Sequence, residues 1–272
     1  MRWATMITLA LAGLWGCPGT NPPTEARGAP PLCPLPARAP APYVGQPARY
    51  AVVDDHDWAV IDTLGWQLLW GPATTVTDPS APFSPPLAAQ IVFPVGFVGG
   101  AAAATLSYDF APSTGVYASM WWKISAPWQG HPSNSNKIAY LFTENSGSMS
   151  LMMYGTPGGP YELRVFPDWH GAWLVPNVST PPVSLGAWHH LEWQVQYGPT
   201  ADPPSGTVRW WMDGALVGNY CDVRLSGAPL MELKLAPVWG GAEPVQKTET
   251  DYVRYGPVHI SALKQTVADS AH

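Results

Sequence analysis

The sequence predicts an all-β sandwich of two antiparallel sheets, and three observations carry that expectation. Hydrophobicity alternates with a period of two: in residues 190–197 the polar phase is His190, Glu192, Gln194 and Gln196, and the apolar phase is Leu191, Trp193 and Val195, as in strands with one face on a core. The 32 prolines and 26 glycines exceed a fifth of the 272 residues, too many for long helices and suited to short strands joined by turns. Hydrophobic residues make up 46% of the chain against 12% charged, enough for one large core, so a single folded domain is expected.

Taken in order, residues 1–16 read as an export signal: Met1-Arg2-Trp3 precedes an apolar run too short to span a bilayer as a stable helix. Leu14-Trp15-Gly16-Cys17 resembles a bacterial lipobox, with Trp15 where a small residue is usual. Cys17 is therefore the expected lipidation site; the other reading is an ordinary signal peptide with an incidental cysteine. Residues 17–49, with runs such as Pro36-Ala37-Arg38-Ala39-Pro40-Ala41-Pro42, are expected to be an extended tether. Cys33 and Cys221 then remain as an even pair, either a disulfide between tether and domain or two free thiols.

The folded domain is expected over residues 50–262. Strands are expected at 66–69, 89–93, 104–110, 115–124, 137–142, 148–154, 161–166, 188–197, 207–212, 215–220, 230–236 and 251–260, separated by turn signals. Residues 263–272 read as a frayed tail or short helix. No fixed-period repeat of the propeller or solenoid kind is present.

Gly186-Ala187-Trp188-His189-His190-Leu191-Glu192-Trp193, followed by Val208-Arg209-Trp210-Trp211-Met212-Asp213-Gly214-Ala215-Leu216-Val217, makes a hairpin that resembles the paired strands of concanavalin A-like jelly rolls. Trp121-Trp122-Lys123 with Asn136-Lys137-Ile138, and Glu232-Leu233-Lys234 leading to Trp239-Gly240-Gly241, sharpen the resemblance to secreted bacterial jelly-roll proteins related to alginate, glucuronan and heparin lyases. In alginate lyases of this fold one inner strand carries Gln, a β-branched residue and His. Another carries Tyr-Phe-Lys-Ala-Gly-x-Tyr, whose last tyrosine moves the proton. Here the matching segments are Gln194-Val195-Gln196 and Leu233-Lys234-Leu235-Ala236-Pro237-Val238-Trp239. Gln194 and Lys234 correspond, Gln196 replaces the histidine, and the tyrosine has no counterpart. The resemblance implies a fold and leaves the activity open.

β-Elimination beside a uronate needs a base for the C5 proton, an acid for the leaving oxygen and a group on the carboxylate. Glutamine cannot be that base, so His170, Tyr154 and Lys234 are the candidate catalytic residues, with His131 as a further histidine. The polar strand phases nominate Lys123, Lys137, Arg164, Lys234, Glu192, Gln194 and Gln196 as substrate contacts. Trp169 and Trp239, two of the 15 tryptophans, are candidates for stacking on sugar rings. Glu249-Thr250-Asp251-Tyr252-Val253-Arg254 lacks the last carboxylate of the Glu-x-Asp-x-x-Glu string of glucanases in this superfamily.

Asp54, Asp55 and Asp57 make an acidic patch that is either a solvated turn or a structural Ca²⁺ site. No other cofactor is expected, because there is no zinc spacing, phosphate loop or Gly-x-Ser-x-Gly elbow. A formal charge of −6 without a basic run argues against nucleic acid as a partner. The leading expectation is an exported, lipid-anchored carbohydrate-binding protein of the bacterial envelope, or a secreted one, whose partner is a poly- or oligosaccharide and which meets the membrane only through its lipid. The alternative is a polysaccharide lyase with a non-standard site, and the third reading is a structural envelope protein.

Overall fold

The computed structural model describes residues 32–35, 37, 43–62, 65–144, 147–168, 170–198, 204–225, 227–241 and 243–263. The expected signal peptide, Cys17, Trp169 and all but the first residue of the expected tail lie outside them. Fourteen strands form: β1 (Tyr50–His56), β2 (Trp66–Trp70), β3 (Ala73–Thr77), β4 (Leu87–Phe93), β5 (Thr105–Ser113), β6 (Gly115–Ile124), β7 (Ser135–Thr143), β8 (Ser148–Tyr154), β9 (Glu162–Pro167), β10 (Trp188–Gln196), β11 (Gly206–Met212), β12 (Ala215–Val223), β13 (Leu230–Trp239) and β14 (Asp251–Leu263). No helix occurs among the described residues.

Two antiparallel sheets stack. The larger runs β12-β11-β10-β6-β14-β4-β3 with β1 also on β14, and the smaller runs β2-β5-β13-β7-β8-β9. All twelve expected strands form. The two that alternation did not reveal, β1 and β3, are the two largely exposed strands of the larger sheet, with sequences YAVVDDH and ATTVT. Strands that bury so little need no apolar phase, and so they carry no signal of the kind sought.

The core lies between the sheets. Leu191, Trp193 and Val195 of β10 are fully buried there with Trp122 of β6 and Ile260 of β14, facing Leu141, Leu151, Leu163, Leu233 and Leu235 of the smaller sheet. Burying each such side chain stabilises the fold by roughly 1.5–3 kcal/mol. Because side chains alternate, filling the core from these positions fixes what the other face of the larger sheet presents.

A bulge in β14 changes that presentation at one place. Tyr255 pairs with Trp122 and Val258 with Met120, so three residues of β14 oppose two of β6. Gly256 and Pro257 occupy the irregular step. The extra residue lets both Tyr255 and Val258 face inward, and it turns His259 outward; bulges commonly re-aim a side chain in this way.

The expected tether is not free over its described residues. Cys33 is joined to Cys221 of β12 with Cα atoms 5.6 Å apart. The Cys33 carbonyl accepts from Asn219 Nδ2 and the Pro34 carbonyl from Arg209 Nη2, both at 2.8 Å. Residues 43–49 then cross the outward face of the larger sheet before β1 begins, forming a strap.

Candidate active site on the outward face of the larger sheet

The register aligns one rung across five strands: Asp55 of β1, His259 of β14, Ser119 of β6, Glu192 of β10 and Trp211 of β11. The next rung places Trp121 of β6 beside His190 of β10. Over these rungs lies a groove of about 650 Å³, walled by Tyr43 and Val44 of the strap on one side and by Ser84 and Pro85 on another. A shallower depression of about 430 Å³ shares Trp121 and Asp213 with it and continues past Trp188. Neighbouring strands are ~4.8 Å apart, so a path across five of them accommodates several sugar rings.

Glu192 is fully buried under the strap. Its Oε2 accepts from the Tyr117 hydroxyl at 2.7 Å and from the Gly45 backbone N–H at 2.6 Å. Its Oε1 has no hydrogen bond, although His190 Nδ1 stands 3.6 Å from it. Burial, then the adjacent Glu192 carboxylate, pushes the Tyr117 hydroxyl far above its ordinary value. Burial lowers the His190 pKa below the usual 6.5 despite Glu192 and Asp213 nearby, so this imidazole is neutral at pH 7. The side chain of His190 is 16% exposed, which leaves it reachable from the groove.

His259 Nδ1 donates to Asp55 Oδ1 at 2.6 Å. The Tyr43 ring stacks on this imidazole with centroids 4.0 Å apart, and lies 6.4 Å from the His190 ring. Burial, then Asp55, pushes the Tyr43 hydroxyl up to about 12, so it keeps its proton at any physiological pH. On the other side of the groove Asp213 accepts from His189 Nδ1 at 2.7 Å and from the His190 N–H at 2.8 Å. Burial opposes protonation of His189, but the hydrogen bond and charge of Asp213 outweigh it and raise its pKa.

The expected site residues divide between the sheets. Glu192, Gln194, Gln196 and Lys123 face outward on the larger sheet. Gln194 is fully buried and accepts from Arg209, and Gln196 accepts from Arg49. Lys123 is held 2.8 Å from Asp78. Lys137, Arg164, Lys234 and Tyr154 belong to the smaller sheet and do not line the groove. There Arg164 lies 3.8 Å over the Tyr154 ring and 2.6 Å from Glu162, and Lys234 is 3.0 Å from Glu232. His170 is also away from the groove, where its Nδ1 accepts from the Arg224 N–H. His131 and Trp239 are fully buried; the Trp239 indole donates to the Gln129 carbonyl. His170, Tyr154 and Lys234 therefore do not come together around a substrate.

The acidic patch divides, with Asp55 and Asp57 on the groove and Asp54 turned away from it. Asp54 and Asp55 alternate across β1, so Asp54 accepts from Trp66 Nε1 while Asp55 serves His259. Among the described residues no three His, Cys, Asp or Glu side chains are grouped to hold a metal.

Tyr43, Tyr117, Ser119, Trp121 and His259 were not nominated by the sequence. Tyr117, Ser119 and Trp121 were legible in principle, as the phase of β6 that contains Lys123. His259 was hidden by the bulge, and Tyr43 by its setting among prolines.

No protein-family model and no curated protein sequence matches this chain. Solved structures do resemble it. Alginate lyase Aly36B superposes with a TM-score of 0.53 at 13% identity, over 71% of this chain and 88% of its own. The endo-β-1,4-glucuronan lyase of the fungus Trichoderma reesei gives 0.53 at 16%, over 78% and 96%. The fold is a concanavalin A-like jelly roll. The Crh5 transglycosylase shares it, with a TM-score of 0.51 at 15% identity over 86% of this chain and 90% of its own. A jelly roll common to lyases and a transglycosylase directs attention to the groove of this chain rather than to any one reaction.

Proposed function

We propose that the outward groove binds a polysaccharide chain and cleaves it by β-elimination, with His190 as the base and Tyr43 as the acid. The observation that carries this reading is the meeting of a neutral, reachable imidazole with a protonated phenol, their ring centroids 6.4 Å apart, in an aromatic-walled groove on a fold shared with polysaccharide lyases. Glu192 beside Nδ1 favours the tautomer with the proton on Nδ1 and leaves the Nε2 lone pair for C5–H. Tyr117 and the Gly45 N–H hold Glu192 in that position. Trp121, whose ring lies 5.1 Å from His190, offers an apolar face for a sugar ring.

In the step so drawn, His190 takes the C5 proton and the C5–H electron pair becomes the C4=C5 double bond. The C4–O4 bond breaks and Tyr43 gives its proton to the departing oxygen. Exchange with water then restores both groups. We further place the protein in an exported setting, held at a membrane through lipid on Cys17; the apolar N-terminal run and the Cys33–Cys221 disulfide support an oxidising compartment.

The test is absorbance near ~232 nm, where the unsaturated product absorbs, during incubation with polyuronates and their derivatives. A steady rise that is lost in His190→Gln supports elimination. Retention by a glycan gel without any product supports binding alone, and silence in both leaves only a structural role.

A further inference from the structure

For a groove that cleaves polyuronides, the charge of the lining selects the substrate. Among its described lining residues are four carboxylates, Asp55, Asp57, Glu192 and Asp213, and no lysine or arginine. Two of the four face solvent substantially, with side-chain exposures of 60% for Asp55 and 48% for Asp213.

The cations elsewhere on this face are already engaged. Lys123 Nζ and Arg254 Nη1 both lie 2.8 Å from Asp78. Arg209 donates to Gln194, Asn219 and the Pro34 carbonyl, and Arg49 donates to Gln196. A polyuronate brings one negative charge per sugar, and within the groove those charges fall inside the Debye length of about 8 Å from the lining acids. Removing C5–H next to a free carboxylate also builds a second negative charge on the same group, which elimination sites ordinarily neutralise. This groove is built to do the reverse.

An alkyl ester removes both difficulties. It carries no charge to repel, it acidifies C5–H, and its enolate bears a single charge that a hydroxyl such as Ser119 can meet. The rest of the lining suits it: Val44, Pro85, Trp121 and Pro257 surround the acids with apolar surface. We infer that the substrate is a polyuronide whose C6 carboxyl groups are esterified, and that free polyuronates are rejected by the groove's own acids. This rests on the elimination reading.

The test uses the oxidised full chain, chelator throughout, and matched polymers: methyl-esterified galacturonan and methyl-esterified alginate, each against its saponified product. The expected result is an absorbance rise at least ten times faster on an ester than on the acid made from it. Asp57→Lys should raise the rate on the saponified polymer several-fold. Equal or faster reaction on the saponified form would overturn the inference and leave elimination standing. No reaction on any of the four polymers would overturn elimination itself. In that case retention of His190→Gln in gels cast with each polymer still decides the charge preference: retention by the ester alone keeps it, and retention by the acid, or by neither, removes it.

Discussion

His190 is the side chain on which the chemistry turns. His190→Gln keeps a polar group of similar reach at a half-buried strand position, and is expected to lower the elimination rate by about 10²–10⁴-fold while the far-UV circular dichroism stays unchanged. Tyr43→Phe keeps the ring stacked on His259 and removes the hydroxyl together with its hydrogen bond to Asp55, so it should lose a comparable factor in kcat with little change in KM. Because burial lowers the His190 pKa and the Tyr43 pKa stands at about 12, kcat/KM should rise with pH through a value below the free-histidine value of about 6.5. It should then remain level beyond pH ~9, since the acid keeps its proton. An acid limb centred above about 7 would argue against His190 as the base.

The His189–Asp213 pair should appear in stability as well. His189 has a raised folded pKa, so its contribution is fully present below its unfolded value and fades as pH rises through the folded one. For Asp213, burial would raise the pKa, but donation from His189 and the His190 N–H outweighs it and lowers the value. Its contribution is present above its unfolded value and is lost as pH falls through the folded one. Asp213→Asn is therefore expected to destabilise the protein most between about pH 4 and 6.5 and less at pH 8, as denaturant melts at the three pH values would show.

At the scale of elements, the strap decides whether the groove has its second wall. Gly45 lies so close to β11 that a Cβ there would come within 2.6 Å of the Trp211 ring, and its N–H is one of the two donors to Glu192. Gly45→Val is expected to lift the strap, giving proteolytic cleavage near residues 43–49 and loss of activity, with the sandwich still folded. Opening the Cys33–Cys221 link in a Cys33→Ser, Cys221→Ser variant should lower stability by about 2–5 kcal/mol, read from the shift in the unfolding midpoint.

The strap also marks where the sequence stops being informative. The strands of the core announce themselves because alternate residues must be apolar, and β6 and β8 begin and end where alternation places them. The strap buries itself through a backbone N–H, a glycine and one tyrosine, and residues 33 and 34 through their carbonyls, a pattern that composition cannot distinguish from a solvated proline-rich linker. The β14 bulge is equally silent: Gly256 and Pro257 signal an irregularity, but not that the phase shifts by one residue and delivers His259 to the groove.

For the molecule as a whole, fold and site are separate achievements of the same alternation. The face that packs the core was legible strand by strand, whereas the site depends on which strands become neighbours, and β1, β14, β6, β10 and β11 are scattered over more than two hundred residues. The Lys137, Arg164 and Lys234 rows looked like those of Lys123 and Glu192 in the sequence; only pairing assigns them to the other sheet. Away from the groove, Lys247 and Asp251 form an ion pair exposed by only 0% and 1%, with the Lys247 ammonium 3.9 Å from the Trp128 ring and 4.5 Å from that of Trp239. Asp251→Ala would leave that ammonium buried and unpaired, and should cost about 3–5 kcal/mol of stability, measured by equilibrium unfolding, without changing the substrate preference of any protein that remains folded.

Cleavage of a glycan in the groove by elimination can be read from mass spectrometry of the products released from methyl-esterified galacturonan and alginate by the wild-type chain and by His190→Gln. The wild-type chain is expected to release oligosaccharides with an unsaturated end, lighter than the hydrolytic products by one water and absorbing near ~232 nm, and the variant none. Products exclusively of full hydrolytic mass, with no unsaturated end among them, or unsaturated products undiminished in His190→Gln, would contradict elimination at this site.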